Sequence, residues 1–213
     1  MRAFLKNINQ ISYFLLATGL FILIGLIILF LNNKTALHIT MNYGHNHFFD
    51  VFFKYFTHVG DGVFATLLVI LLGILFYRKY KWKFLVIGLT NLAVSGLIAQ
   101  ILKHFVFPDA DRPIRFIGKK LLSLVQGVEM NEYYSFPSGH TTSAFALFIF
   151  LAYVFLPKKK MQLSFFFAAL LVGYSRIYLS QHFLEDVVAG AFIGTTTFIV
   201  LIGLFRLFGV KLN

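Results

Sequence analysis

The chain has 213 residues, of which 59% are hydrophobic, 18% aromatic and only 13% charged, with a mean hydropathy of +0.80. An apolar share this far above the roughly one-half of water-soluble domains excludes an ordinary soluble fold and points to a chain that crosses a bilayer several times. The net charge of +11 does not make nucleic acid the expected partner, because the basic residues fall in short juxtamembrane groups that suit anionic lipid headgroups.

In chain order, long apolar runs cover 11–31, 62–77, 84–106, 138–156, 161–178 and 183–208. Most are near the ~20 residues that a helix needs to cross a bilayer, so six spans are expected. The first run is too long for a signal-peptide core, and Leu31-Asn32-Asn33-Lys34 follows it where a small-residue cleavage site would stand, so it is expected to remain as a span. The outer loop after it holds the aromatic stretch 48–56, which predicts a short helix in the membrane interface with Asp50 and Lys54 facing water. Its Phe52 and Phe53 are candidate walls of a lateral entrance for lipid chains. The same loop carries His38, His45, His47 and His58, but their separations fit no recognised ligand spacing and imply no metal. With no cysteine there are no disulfides or thiolate metal sites. The fold class predicted is all-α: a polytopic bundle of six transmembrane helices and one interfacial helix, forming a single domain over residues 1–213.

Lys and Arg set the expected orientation. Arg2 and Lys6, then Arg78 to Lys83, then Lys158 to Lys160, then Arg206 and Lys211 sit at alternate ends of the runs, which puts both termini in the cytoplasm. All eight acidic residues and all seven histidines then map to the outer side. That face is where chemistry is expected.

Three clusters carry it. Phe136-Pro137-Ser138-Gly139-His140 opens the fourth run: Pro favours a helix start, Ser caps it, and Gly lets an anion approach the amides. His140 beside that anion site can give a proton to a departing oxygen. In Ser175-Arg176-x5-His182-x3-Asp186, the i,i+4 spacing stacks a carboxylate under an imidazole, which fixes the tautomer and leaves the second nitrogen free to attack phosphorus. Residues 179–181 must turn, because on a continuous helix Arg176 would point away from His182. Lys103 lies at the outer end of the third run and Arg112-Pro113 just after it, one a point charge and the other a bidentate phosphate grip. The connection 119–134, joining two site-bearing runs, is the expected substrate-selecting element.

At these residues the chain resembles the type 2 phosphatidic acid phosphatase superfamily, whose motifs are Lys-x6-Arg-Pro, Pro-Ser-Gly-His and Ser-Arg-x5-His-x3-Asp. The second and third are matched in full, and the three together run from Lys103 to Asp186. The first departs, with eight residues between Lys103 and Arg112, which leaves Arg115 and Lys119 as alternatives for the lysine's role. The resemblance implies a metal-independent, cofactor-free lipid phosphatase of a bacterial cytoplasmic membrane with its site at the extracytoplasmic face. By the same resemblance His182 is the nucleophile oriented by Asp186, and His140 is the acid. Lys103, Arg112, Arg176 and the Ser138-Gly139 amides hold the phosphate oxygens. Implied substrates are isoprenyl diphosphates such as undecaprenyl diphosphate, phosphatidate, phosphatidylglycerol phosphate or lipid A phosphates. A lipid phosphotransferase using the same phosphohistidine is the alternative, and a transporter is disfavoured because the charges gather at one end of the runs.

Overall fold

The computed structural model describes residues 11–155 and 159–210, with the backbone alone at 159 and 160. Arg2, Lys6, Lys158 and Lys211, which contribute to the expected orientation, lie outside the described residues, as do the side chains of Lys159 and Lys160. Among the described residues there are ten α-helices and no strand. Each of the six apolar runs is a helix: α1 (Ser12–Leu31), α4 (Gly62–Leu75), α6 (Trp82–Ile101), α8 (Gly139–Phe155), α9 (Lys159–Tyr178) and α10 (Leu184–Leu207). Short helices α2 (Lys34–Asn42) and α3 (His47–Phe56) fill the first loop, α5 (Tyr77–Tyr80) joins α4 to α6, and α7 (Pro113–Ile117) follows α6.

Three helices, Ser12–Leu31, Trp82–Val106 and Leu184–Leu207, are long and apolar enough to cross a membrane by length and composition alone, and α3 with α4 makes a fourth candidate bent by 64°. The remaining apolar helices fall short for identifiable reasons. Helix α8 has 17 residues, about 25 Å of rise against a hydrocarbon core of about 30 Å, and α9 carries Gln162 and Arg176. Helix α8 is also the centre of the bundle, packed by α4, α6, α9 and α10, so most of its side chains meet protein instead of lipid.

Lipid tails are as apolar as leucine, so close packing holds such helices together. Phe14 of α1, Phe145 of α8 and Phe166 of α9 meet edge to face at centroid distances of 6.0 to 6.2 Å. Along the α8–α10 crossing, Gly190 and Gly194 let the backbones touch: a Cβ at Gly190 would stand 2.8 Å from the Ser138 carbonyl oxygen, and one at Gly194 would stand 2.8 Å from the Ala146 nitrogen. This crossing brings the start of α8 against the start of α10. Asn91 of α6, deep in the bundle, donates to the Ala146 carbonyl at 2.8 Å and ties α6 to α8.

In the first loop, α3 is the short amphipathic helix that its aromatic pattern predicts, but its charged pair does more than face water. Asp50 accepts the Tyr178 hydroxyl at 2.6 Å and lies 3.0 Å from His45, while Lys54 donates to the Gln126 carbonyl at 2.9 Å. Partners across the fold thus replace the expected i,i+4 solvent-facing arrangement. Phe53 is buried with Val125, Tyr178 and Leu179, and Phe52 packs on that cluster. Asn42 pins the connection after α7, accepting from Ser123 N at 2.8 Å and donating to the Tyr178 carbonyl at 2.7 Å.

Candidate active site

The site is assembled at the helix ends around residues 176–186. Helix α9 stops in a tight left-handed turn: Ser180 has φ +50°, Ser180 N donates to the Ile177 carbonyl at 2.9 Å, and Gln181 N donates to the Arg176 carbonyl at 2.8 Å. This is the hydrogen-bond pattern of a Schellman ending, and it supplies the turn that the spacing of Arg176 and His182 demands. The Arg176 carbonyl also accepts His182 N at 3.1 Å, so the turn fixes the nucleophile candidate's backbone to that of the arginine.

His182 is buried, and its Nδ1 lies 3.2 Å from Asp186 Oδ2. That same oxygen accepts Ser135 Oγ at 2.5 Å and Phe183 N at 2.9 Å, while the other carboxylate oxygen is buried with no partner among the described residues. A carboxylate oxygen needs a donor, so the proton belongs on Nδ1 and the lone pair on Nε2. Burial, followed by the Arg112, Lys103 and Arg176 charges, holds the His182 imidazole well below its usual 6.5, which keeps it neutral at neutral pH.

The cations surround it. Arg176 is buried, its Nη1 donates to Thr57 Oγ1 at 2.7 Å, and its Nε is a buried donor without a partner among the described residues. Arg112 is aimed by Gln181, with Nη1 2.9 Å from Oε1, and its Nε donates to the Tyr133 carbonyl at 2.9 Å. Lys103 sits in a π-helical turn, Leu102–Val106, with Nζ 2.7 Å from the Tyr134 carbonyl. A π turn takes up more residues than an α-helical turn. The lysine itself reaches the site. Arg115, one of the alternatives, pairs instead with Asp111 at 3.0 Å and lies 4.0 Å over the Tyr133 ring.

Opposite these, Ser138 N donates to the Asp186 carbonyl at 3.0 Å, so this amide, expected to hold a phosphate oxygen, is already engaged and the role passes to the amides that follow it; Ser138 Oγ accepts Thr141 N at 3.4 Å as the cap of α8. Amides in the first turn of a helix have no intrahelical acceptor, and a Cβ on Gly139 would meet open space, so an anion has room to approach. His140 follows, within electrostatic reach of Arg176, His182, His58 and Arg112. Beside it opens a cavity of ≈ 610 Å³ that runs from Gly139 and His140 between α4 and α6 to Leu89 and Leu92.

All eight residues singled out from the sequence thus meet at one end of the bundle. Reading the sequence missed four that hold them: Ser135, Thr57, Gln181 and His38. Buried His38 places Nε2 3.3 Å from Ser180 Oγ and its ring edge-on to Phe183 at 5.1 Å, so it braces the turn. Among the described residues, no three His, Asp or Glu side chains converge as ligands would.

An all-helical, multi-pass membrane protein with histidines, a carboxylate and three cations gathered at one end is the class that this fold and geometry define. The PAP2 superfamily profile matches residues 84–208, more than half of the chain. The chain belongs to the PAP2 superfamily. It is 32% identical over 160 residues to phosphatidylglycerophosphatase B of Bacillus subtilis, covering 69% of this chain and 70% of that protein. It is 31% identical over 173 residues to the lipid A 4'-phosphatase of Bacteroides thetaiotaomicron, covering 75% and 71%. Among solved structures, Aquifex aeolicus LpxE aligns over 80% of this chain and 94% of its own at a TM-score of 0.66 and 26% identity. The transmembrane PAP2-type phosphatidylglycerolphosphate phosphatase of Bacillus subtilis aligns over 97% and 98% at a TM-score of 0.68 and 24% identity, a likeness of fold.

Proposed function

We propose that this protein is a membrane lipid phosphatase that works through a phosphohistidine on His182. The observation that carries the reading is the Nδ1 contact of His182 with Asp186 at 3.2 Å, which leaves Nε2 unprotonated among Lys103, Arg112 and Arg176. In the first step Nε2 forms a bond to phosphorus as the bond to the leaving oxygen breaks. That oxygen keeps the electron pair and takes a proton from His140. In the second, His140 accepts a proton from water, whose oxygen attacks phosphorus, releases phosphate and restores His182. Phosphoryl transfer asks mainly for positioning and charge, and two guanidiniums, an ammonium and the amides at the start of α8 supply the charge stabilisation that a metal provides elsewhere.

The lipid's tail belongs in the cavity beside His140, whose deeper part is lined by Leu89, Leu92, Ala93 and Leu97. The whole of 1–213 is one domain, its six apolar helices all cross the bilayer, and both termini lie in the cytoplasm of a bacterial inner membrane. The site then faces the extracytoplasmic side. Relatives named as phosphatidylglycerophosphatase and lipid A phosphatase support a lipid phosphate as substrate. The test is phosphate release by the purified protein from a panel of phosphatidate, phosphatidylglycerol phosphate, lipid A and undecaprenyl diphosphate, with chelator present. Release from at least one lipid is expected, and release from none, or only with added divalent metal, rejects the reading.

A further inference from the structure

Residues 132–135 touch the site one after another. The Glu132 carbonyl accepts Arg112 N at 2.8 Å, the Tyr133 carbonyl accepts Arg112 Nε at 2.9 Å, and the Tyr134 carbonyl accepts Lys103 Nζ at 2.7 Å. Ser135 Oγ then donates to Asp186 Oδ2 at 2.5 Å, and Ser135 N donates to the Ala110 carbonyl at 2.9 Å. The segment is thus pinned at both ends to residues 110–112. Between the pins, two adjacent carbonyls hold two cations.

The residue that turns those carbonyls is Tyr134. Its φ of +56° lies in the left-handed region, where an aromatic residue is uncommon because its Cβ crowds the backbone. Such a conformation persists only where the surroundings impose it, and it collects at functional sites. The Tyr134 ring lies 4.6 Å from that of His104, the residue after Lys103 on the π turn. Tyr134 therefore holds the lysine by its carbonyl and the lysine's neighbour by its ring.

Lys103 and Arg112 are close enough to repel each other, and the eight residues of chain between them set no fixed distance. A carboxylate between them would hold them but cancel their charge. A carbonyl directs a cation and leaves its charge, and two of the ammonium's three donors, to an anion. We propose that Tyr134 is a positioning residue of the phosphate site, whose left-handed turn sets Lys103 and Arg112 at the spacing that grips one phosphoryl group. The proposal rests on the phosphatase reading above and names what brings its cations into register.

The experiment uses full-length protein in detergent micelles. It measures kcat/KM on the lipid of the panel above that the wild type hydrolyses fastest, and affinity for inorganic phosphate. Tyr134→Asn places there a residue that enters the left-handed region readily and gives up only the ring, so a loss of roughly threefold in kcat/KM is expected. Tyr134→Pro fixes φ near about −65° and forbids the turn, and kcat/KM should fall by roughly 100-fold and phosphate affinity by roughly tenfold. Much of that loss should run through the lysine: in Lys103→Met protein the same proline should cost no more than about tenfold in kcat/KM. If Tyr134→Pro fails to fold, Tyr134→Val, whose branched Cβ opposes the same turn, should fall about tenfold below Tyr134→Asn. Equal losses in the Asn variant and in the Pro or Val variant, or a proline cost undiminished in Lys103→Met, overturn the positioning role. A wild type that hydrolyses no lipid of the panel overturns the phosphatase reading instead, and the phosphate affinities of the same variants then decide the positioning role by themselves.

Discussion

The two histidines of the site stand in unlike walls. Behind His182 the structure is over-determined: one oxygen of Asp186 takes Ser135, Phe183 and His182 together, and the Arg176 carbonyl holds two amides of the turn. Beside His140 the wall is thin, with Gly60, Gly62, Ala93 and Gly96 lining a cavity of ≈ 610 Å³. In the proposed mechanism the bond to phosphorus forms at the first wall, which holds one geometry, because a nucleophile misplaced by an ångström loses much of its rate. The same mechanism sends the leaving group to the second wall, which leaves room. Substitutions on the first should therefore change how fast the protein works, and those on the second should change what it works on.

The largest effect expected breaks the closed wall at its centre. His182→Ala should reduce phosphate release from every lipid by roughly 10⁴-fold or more, because the proposed mechanism forms its bond to phosphorus at that imidazole. Near-normal release from any lipid would mean the nucleophile lies elsewhere. Next comes Arg176→Lys, which keeps a charge but gives up both the guanidinium's bond to Thr57 and the Nε donor that has no partner among the described residues. A loss of roughly 10²-fold in kcat/KM is expected, common to all substrates. A change within twofold would show that the charge alone suffices. On the open wall, Ala93→Phe fills the cavity well below the chemistry, and long-chain lipids should lose roughly tenfold in kcat/KM while short-chain soluble phosphates keep their rate. Equal losses on both would deny the cavity its role as the seat of the tail.

The same contrast explains what the sequence reveals. The residues assigned chemistry in the proposed mechanism are rare types in an apolar chain, so His140, Arg176, His182 and Asp186 stand out, and their spacing along helices fixes which of them stack. The residues that hold them are common types brought in by tertiary packing. Ser135 and Thr57 look like any loop hydroxyl until the fold puts them on Asp186 and Arg176. The Tyr178 hydroxyl on Asp50 and the Gln126 carbonyl on Lys54 come from 128 and 72 residues away in the chain, beyond the reach of helical periodicity. The π turn at Leu102–Val106 was hidden for a related reason, because a motif counted in residues assumes a regular helix between its ends. Gly190-x3-Gly194 was legible, since small residues four apart in an apolar run predict a close helix crossing, but counting spans by hydropathy passes over it.

The smallest effect probes the brace behind the closed wall. His38 is buried between Ser180 and Phe183, and its Nδ1 has no partner among the described residues. Burial lowers its pKa from 6.5 to about 4; the Asp186 charge opposes that shift and the Lys34 charge adds to it. The unfolded chain thus takes up a proton at a higher pH than the folded one. Stability from this residue is complete above about pH 6.5 and is lost as pH falls towards 4, by up to roughly 3 kcal/mol at 1.36 kcal/mol per pKa unit. Other carboxylates and His182 also titrate on the way down, so the informative quantity is a difference between proteins at each pH. His38→Leu removes the titrating ring, and its lost bond to Ser180 costs much the same at every pH. The unfolding midpoint of the variant should therefore gain on that of the wild type as the pH is lowered from 7 to 5. A gap that stays constant over that range would mean that His38 is solvated or already paired when charged, and that the turn carrying His182 is braced by something else.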